Sequence, residues 1–199
     1  MAPARARGRL LALEGGEAVG KSTQASRLAE RLGALLTREP GGTDLGEEIR
    51  GLLLDPARRL DARTEALLMA AARAQHVAEV IEPALAAGRD VVTDRFVGSS
   101  LAYQGFGRGL PLEDVAALSH FATAGVAADV VVLLDVPDAD AAARRDAAPD
   151  RLEAEGDEFH RRVLDGFARL AAEDPRWVVV DGRGGVDEVA ERVWAAVSG

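Results

Sequence analysis

The chain carries 24 arginines and lysines, and a single one of them, Lys21, is a lysine. It stands in Gly15-Gly16-Glu17-Ala18-Val19-Gly20-Lys21-Ser22, with Thr23 following, a stretch that satisfies the phosphate-loop pattern G-x-x-x-x-G-K-[ST]. A guanidinium is a broad planar fork. An ammonium is a compact point charge on a slim stem, able to reach between two phosphates inside a tight backbone cradle. A glycine-rich turn between a strand and a helix aims several backbone N–H groups at one point, and the helix N-terminus adds its partial positive charge there. The natural occupant is a triphosphate, with Lys21 between its β- and γ-phosphates and the Ser22 hydroxyl in the shell of a Mg2+ ion. By itself the loop specifies nucleotide phosphate and no more, since ATPases, GTPases and kinases share it.

Two apolar runs end in aspartate, at Asp94 and Asp135, and either carboxylate would serve the metal. Asp94 is the better candidate because Arg95 follows it. A cation beside a metal-facing carboxylate, at the carboxyl edge of a sheet, suits a site where a second phosphate is held opposite the first. Other segments suit that second ligand. Thr37-Arg38-Glu39-Pro40-Gly41-Gly42-Thr43 combines a cation, a rigid proline and two glycines, as a tight ligand-closing loop requires. Met69 and Arg73, four apart, share a helix face, and so do Ser100, Tyr103 and Gln104. Singly, Met69 is core filler, Tyr103 a packed aromatic and Arg73 a solvated charge. Together they offer what a nucleoside monophosphate needs: cations for phosphate, a flat polarizable contact for the base, and amide or hydroxyl groups for its edge.

The elements that must position these groups follow from periodicity. Leu10–Leu13, Ala34–Thr37, Asp90–Thr93, Asp129–Asp135 and Trp177–Val180 are short apolar runs of the kind that form buried strands. Between them lie helical patterns at Ser22–Leu32, Gly46–Leu54, Thr64–Ala87, a piece beginning near Ser99, Leu112–Thr123, Glu158–Ala172 and Val186–Val197, with a kink expected at Pro83. The expectation is an α/β fold: a doubly wound, five-stranded parallel sheet with helices on both faces. Neither an internal repeat nor a long linker divides residues 1–199, so one domain is expected. The alanine-rich segment Ala139–Ala148, with Arg144 and Arg145, suits a helix leading into a mobile loop.

Composition narrows the partners. A net charge of -9 repels a nucleic-acid backbone or an anionic membrane at long range, so neither is expected to bind. Zero cysteines and three histidines without ligand spacing argue against disulfides and a dedicated zinc site, and a cytoplasmic address fits. The basic Met1–Arg9 leads into an apolar run ended by Glu14, too short for a signal peptide or membrane span.

The strings Glu14-Gly15-Gly16-Glu17, Gly20-Lys21-Ser22-Thr23-Gln24, Thr37 to Thr43, Arg73-Ala74-Gln75-His76, Asp94-Arg95-Phe96, Ser99-Ser100-Leu101-Ala102-Tyr103-Gln104-Gly105 and Asp150-Arg151-Leu152-Glu153 resemble those of bacterial-type thymidylate kinases. The resemblance runs from about Leu10 to Ala172 and implies ATP- and Mg2+-dependent phosphorylation of dTMP to dTDP by a homodimer. It further implies that Glu17 approaches the sugar 3′-hydroxyl, Arg38 and Arg95 the dTMP phosphate, and Arg73 the thymine edge. Ser100, with Gln104 nearby, would meet the base, Ser99 would be a further substrate contact, Pro40 and Met69 would wall the base pocket, and Tyr103 would lie against the deoxyribose, crowding a ribose 2′-hydroxyl. Three positions depart from the family pattern. Met69 replaces a usual aromatic, giving a softer thioether contact. Ala18 replaces a frequent glycine, which requires a negative φ there. The lid, near residues 142–155, is thinned in arginine, leaving Arg144, Arg145 and Arg151 as candidates to meet the transferred group.

Three alternatives stay open on sequence alone. A GTPase switch is weakened because the chain has no asparagine for an N-K-x-D guanine signature. A kinase for another nucleoside monophosphate and a nucleotide-binding scaffold without turnover both remain compatible with Met69 and the reduced lid.

Overall fold

A computed structural model describes residues 7–137, 140–141 and 149–198. Its centre is strand β1 (Leu10–Glu14), every residue of which is buried. Strands β2 (Leu35–Arg38), β3 (Val91–Asp94), β4 (Val130–Asp135) and β5 (Trp177–Asp181) complete a sheet of order β2-β3-β1-β4-β5. All pairings are parallel, with Leu13 in register with Asp94 and Glu14 with Leu133. Parallel strands need both faces covered, which is why the sequence shows apolar runs instead of alternation.

The pleat divides those runs between two cores. Leu11, Leu13, Val132 and Leu134 pack with Ala25, Leu28 and Ala29 of α1 (Lys21–Leu32) and Val189, Val193 and Val197 of α8 (Val186–Val197). On the opposite face Leu10, Ala12, Val91 and Val131 pack with Val77, Ile81, Leu85 and Phe96. Each fully buried leucine contributes about 1.5–3 kcal/mol relative to exposure. Beside this second core, Leu133 meets Tyr103 and three side chains of α7 (Asp157–Glu173), namely Phe159, Val163 and Phe167. The expected doubly wound architecture is therefore the one found.

Helical boundaries differ where local chemistry intervenes. Helix α2 (Asp44–Leu54) starts ahead of Gly46 because the Thr43 hydroxyl accepts the Gly46 N–H at 3.0 Å and caps it. The long helix expected over Thr64–Ala87 is α3 (Ala62–His76), a wide-turned π segment (Val77–Ile81) and α4 (Glu82–Ala86). Pro83 brings no N–H and crowds the carbonyl one turn back, so the chain widens just before it. A second wide turn (Leu101–Gly107) continues α5 (Val97–Ser100), and α6 (Leu112–Thr123) follows as expected.

The site follows from topology. β1 and β3 are neighbours, yet the loop leaving β1 feeds α1 on one face while the loop leaving β3 feeds α5 on the other. Where two adjacent connections part, a crevice opens at the carboxyl edge of the sheet.

Candidate active site

The phosphate loop lies in that crevice. Gly15 has φ 141°, and a Cβ there would stand 2.7 Å from the Leu134 carbonyl oxygen, so only glycine lets the loop rest on β4. Gly20, at φ 94°, precedes α1 without a side-chain cap, leaving the first-turn N–H groups open. Ala18 corrects the sequence reading: its φ is 55°, in the left-handed region, where a negative value was expected. That conformation costs a residue with a Cβ about 1–2 kcal/mol. Bonds on either side hold it: the Lys21 ammonium donates to the Gly16 carbonyl, and the neighbouring Glu17 carboxylate is clamped by Arg95 and Tyr103.

Lys21 is buried. Burial and the nearby Arg95 guanidinium outweigh the attraction of Glu17 and Asp94 and pull its pKa down to about 8. Opposite it, Arg95 leaves the end of β3 with φ 70°, its N–H bonded to Leu13 O at 2.9 Å and its carbonyl held by the Thr93 hydroxyl at 2.8 Å. The guanidinium donates to Gly15 O (3.1 Å), Ser99 Oγ (3.0 Å), Glu17 Oε1 (2.8 Å) and Tyr103 Oη (3.2 Å). Burial works against its charge, but Glu17 prevails and raises its pKa. Burial likewise works against Glu17, yet Arg95 and Lys21 hold that carboxyl at about 2. Beneath them Glu14 accepts from Phe96 N, Ser99 N and the Ser99 hydroxyl, and its complete burial raises its pKa despite those bonds.

Ser22 Oγ donates to Asp94 Oδ2 at 2.5 Å, while Asp94 Oδ1 is buried with no hydrogen-bond partner among the described residues. No group of three or more acidic, histidine or cysteine side chains able to hold a metal exists among those residues. One hydroxyl and one carboxylate with a spare oxygen fit Mg2+, which keeps several waters and takes the rest of its shell from substrate phosphates. Asp135 lines a separate apolar hollow and not this crevice.

From the loop a cleft of about 710 Å3 runs past Asp94, Arg95, Ser99 and Tyr103 to Met69, Arg73, Ser100 and Gln104, with Arg38 and Pro40 on its wall. Glu17, Ala18, Val19, Gly20, Lys21, Ser22 and Thr23 line its other end, and Gly15 and Gly16 lie beneath as acceptors for Arg95 and Lys21. At the far end Arg73, 3% exposed, donates to Glu39 (2.7 Å), Phe96 O (3.0 Å) and Ser100 Oγ (3.0 Å). Gln104 donates to Glu65 at 2.9 Å. Arg38 reaches the wall half-exposed and turned onto Glu47, at 3.0 and 2.9 Å from its two carboxylate oxygens.

The lid candidates are not gathered here. Arg144 and Arg145 lie outside the described residues. Arg151 is buried away from the cleft, donating to Leu53 O at 2.7 Å with Nη2 2.8 Å from Glu65, a carboxylate that Arg108 also grips. Despite the burial of Glu65, Arg108 and Gln104 keep its pKa low.

The sequence reading missed several wall residues. Arg50 lines the cleft and donates to Pro40 O at 2.9 Å; nothing in the charged run of α2 separates it from surface arginines. Gly182, Gly184, Val186 and Val189 line the donor end together with Gln24, whose amide nitrogen donates to Val186 O at 3.0 Å. A signal for these existed in the glycine-rich Gly182-Arg183-Gly184-Gly185 that follows the last strand.

A phosphate cradle at the parting of two parallel strands, facing a partly buried cation and a base-sized recess across one cleft, defines a phosphate-loop nucleoside monophosphate kinase. The family model described as thymidylate kinase matches residues 13–193. A thymidylate kinase of Synechococcus sp. (strain JA-2-3B'a(2-13)) is 52% identical over 94% of this chain and 93% of its own length, and one of Leifsonia xyli subsp. xyli is 46% identical over 99% and 98%. A crystal structure of thymidylate kinase from Ehrlichia chaffeensis superposes with a TM-score of 0.81 at 31% identity, covering 97% of this chain and 99% of that one. The chain belongs to the thymidylate kinase family.

Proposed function

We propose that Lys21 and Arg95 draw ATP and dTMP together from opposite sides of the cleft as the chain phosphorylates dTMP to dTDP. The carrying observation is the placement of Arg95 between the phosphate loop and the recess of Arg73, Ser100 and Gln104, within one continuous cleft. An oxygen of the dTMP phosphate attacks the γ-phosphorus, the bond to the β–γ bridging oxygen breaks, and ADP leaves. The attacking oxygen is already anionic, so the chemistry asks little of a general base and much of positioning and charge neutralisation. Mg2+, held by Ser22 and Asp94 when bound, supplies neutralisation of the β- and γ-phosphates.

The remaining roles follow from donor and acceptor inventory. Glu17, ionised and acceptor-only, takes the sugar 3′-hydroxyl. Arg38 and the neighbouring Arg50 serve the dTMP phosphate beside Arg95. Arg73 and Ser100 meet the base edge with Gln104 near, Ser99 steadies Arg95, and Pro40 and Met69 wall the ring. The Tyr103 ring crowds the deoxyribose from one side. Because Arg151 is spent on Glu65 and Leu53, the arginine that meets the transferred phosphoryl is Arg144 or Arg145; an arginine of this kind accounts for about 10³ to 10⁵ in rate.

We place this single kinase domain in the cytoplasm as a homodimer: Leu67 on α3 and Phe121 on adjacent α6 are apolar and exposed, 58% and 85%, surface that a second copy would cover. ADP release measured with dTMP, dUMP, CMP and AMP in turn, with and without Mg2+, tests the reading. Metal-dependent release with dTMP foremost is expected. ATP binding without ADP formation would favour a scaffold, and tight GTP binding with no acceptor a switch.

A further inference from the structure

Two buried titratable residues in the quoted strings, Glu39 and His76, have no part in the reaction as described. Glu39 Oε2 accepts from Arg73 Nε at 2.7 Å, and Glu39 Oε1 lies 3.0 Å from His76 Nδ1. His76 Nε2 lies 2.6 Å from Thr37 Oγ1. Exposure is 3% for Arg73, 5% for Glu39 and 0% for His76. A carboxylate only accepts, so His76 Nδ1 donates to Glu39, while Nε2 is hydrogen-bonded to the Thr37 hydroxyl. Glu39 thus accepts from both sides, from Arg73 on Oε2 and from His76 on Oε1, with Thr37 bonded to the far nitrogen of the ring.

We infer that Glu39 and His76 are positioning residues that set the Arg73 guanidinium for the base, an inference that rests on the reading of Arg73 given above. Of the five N–H groups of Arg73, Nε goes to Glu39, both on Nη2 go to Phe96 O and Ser100 Oγ, and Nη1 makes a long 3.4 Å contact to Ser119 Oγ. Among the described residues that leaves one Nη1 hydrogen for a ligand carbonyl, and its direction is fixed once the plane of the fork is fixed. The plane is held from behind by Glu39. Glu39 sits on a loop, and a loop carboxylate aims well only if its second oxygen is held too. His76, one turn beyond Arg73 on α3, is that second hold.

The same ring also seats the loop. A Cβ at Gly42, whose φ is 81°, would stand 2.7 Å from His76 Nε2 and 2.8 Å from Thr37 Oγ1. The backbone between Arg38 and Thr43 therefore closes directly on the imidazole, and one buried pin serves the base-facing arginine and the loop that carries Arg38 and Pro40.

Paired substitutions separate positioning from packing. In His76→Asn the amide nitrogen replaces Nδ1 and keeps the bond to Glu39. In His76→Gln the longer amide replaces Nε2 and keeps only Thr37. We expect the KM for dTMP to stay near that of the unaltered protein in His76→Asn and to rise about tenfold in His76→Gln and Glu39→Gln, with the KM for ATP unchanged. Thermal midpoints are read in parallel. If the two histidine variants lower the midpoint alike while neither moves the KM for dTMP, or if the KM for ATP rises equally, the pair is only structural and the inference falls. Arg73→Ala is the control: an unchanged dTMP KM there removes the base-edge reading itself, whereas a raised KM there with silent His76→Gln and Glu39→Gln variants removes only the positioning role.

Discussion

Ser22 Oγ and Asp94 Oδ2 stand 2.5 Å apart, joining the first turn of α1 to the end of β3, and leave Asp94 Oδ1 buried and without a partner among the described residues. An unsatisfied buried acceptor costs about 1–3 kcal/mol, a cost that a metal ion removes. Asp94→Asn should therefore raise the Mg2+ concentration for half-maximal activity and lower kcat about 10²-fold, judging from the charge it withdraws from the metal. Binding of dTMP without nucleotide triphosphate should be unaffected. Weakened dTMP with an unaltered Mg2+ titration would take Asp94 away from the metal.

Lys21 is held near pKa 8 first by burial and then by Arg95. In the unfolded chain it titrates near 10.5, so between about pH 8 and 10.5 the unfolded state binds more protons and the ligand-free protein gains stability as pH rises. Triphosphate reverses the balance by favouring the ammonium, so ATP binding near pH 8.5 should take up protons, visible in calorimetry across buffers of different ionisation enthalpy. Lys21→Met should abolish that uptake and turnover together without lowering the thermal midpoint at pH 7. A mutant that retains near-normal turnover would refute the loop assignment.

Ala18, at φ 55°, stores strain that a glycine would not. Ala18→Gly relieves about 1 kcal/mol of left-handed cost while adding freedom to the unfolded chain, so denaturant unfolding should show a change of less than about 1 kcal/mol in either direction. The loop is clamped by Lys21 and Glu17 on both sides, so ATP affinity should hold. A loss of several-fold in ATP affinity would mean that the alanine, and not its neighbours, sets the loop.

These residues also show where sequence suffices. The phosphate loop was legible because its fixed positions are local and each has a backbone or charge reason; the five strands were legible because burial on both faces makes an unbroken apolar run. Met69 and Arg73 share the cleft wall as their helical spacing implied. The φ of Ala18 was not legible, because it depends on bonds from Lys21 and Glu17 to groups that the alanine itself does not touch. Arg50 resembles every other helix arginine until α2 is seen against Pro40. The Glu39, His76 and Arg73 chain and the capture of Arg151 by Glu65 join distant segments, and nothing in local spacing announces which buried charge answers which. The wide turn before Pro83 replaced a kink at it because the helix relaxes ahead of the missing donor.

Tyr103 separates the work of a ring from that of its hydroxyl. The ring is wedged edge-on against Phe159 at 6.1 Å and Phe167 at 6.2 Å between centroids, while the hydroxyl donates to Glu17 and accepts from Arg95. If the ring crowds the sugar, Tyr103→Phe should keep the preference for dTMP over its ribose counterpart. The loss of its two hydrogen bonds, to Glu17 and from Arg95, should cost about 1–3 kcal/mol of stability and raise the dTMP KM a few-fold, since Glu17 loses a support. Tyr103→Ala vacates the wedge and should cost about 3–5 kcal/mol while lowering the deoxyribose-to-ribose ratio of kcat/KM at least about tenfold. The ratio is measured with dTMP and 5-methyluridine monophosphate on both variants. Should the phenylalanine enzyme accept the ribonucleotide as readily as the alanine enzyme does, the discrimination belongs to the hydroxyl and its hold on Glu17, and the ring merely packs.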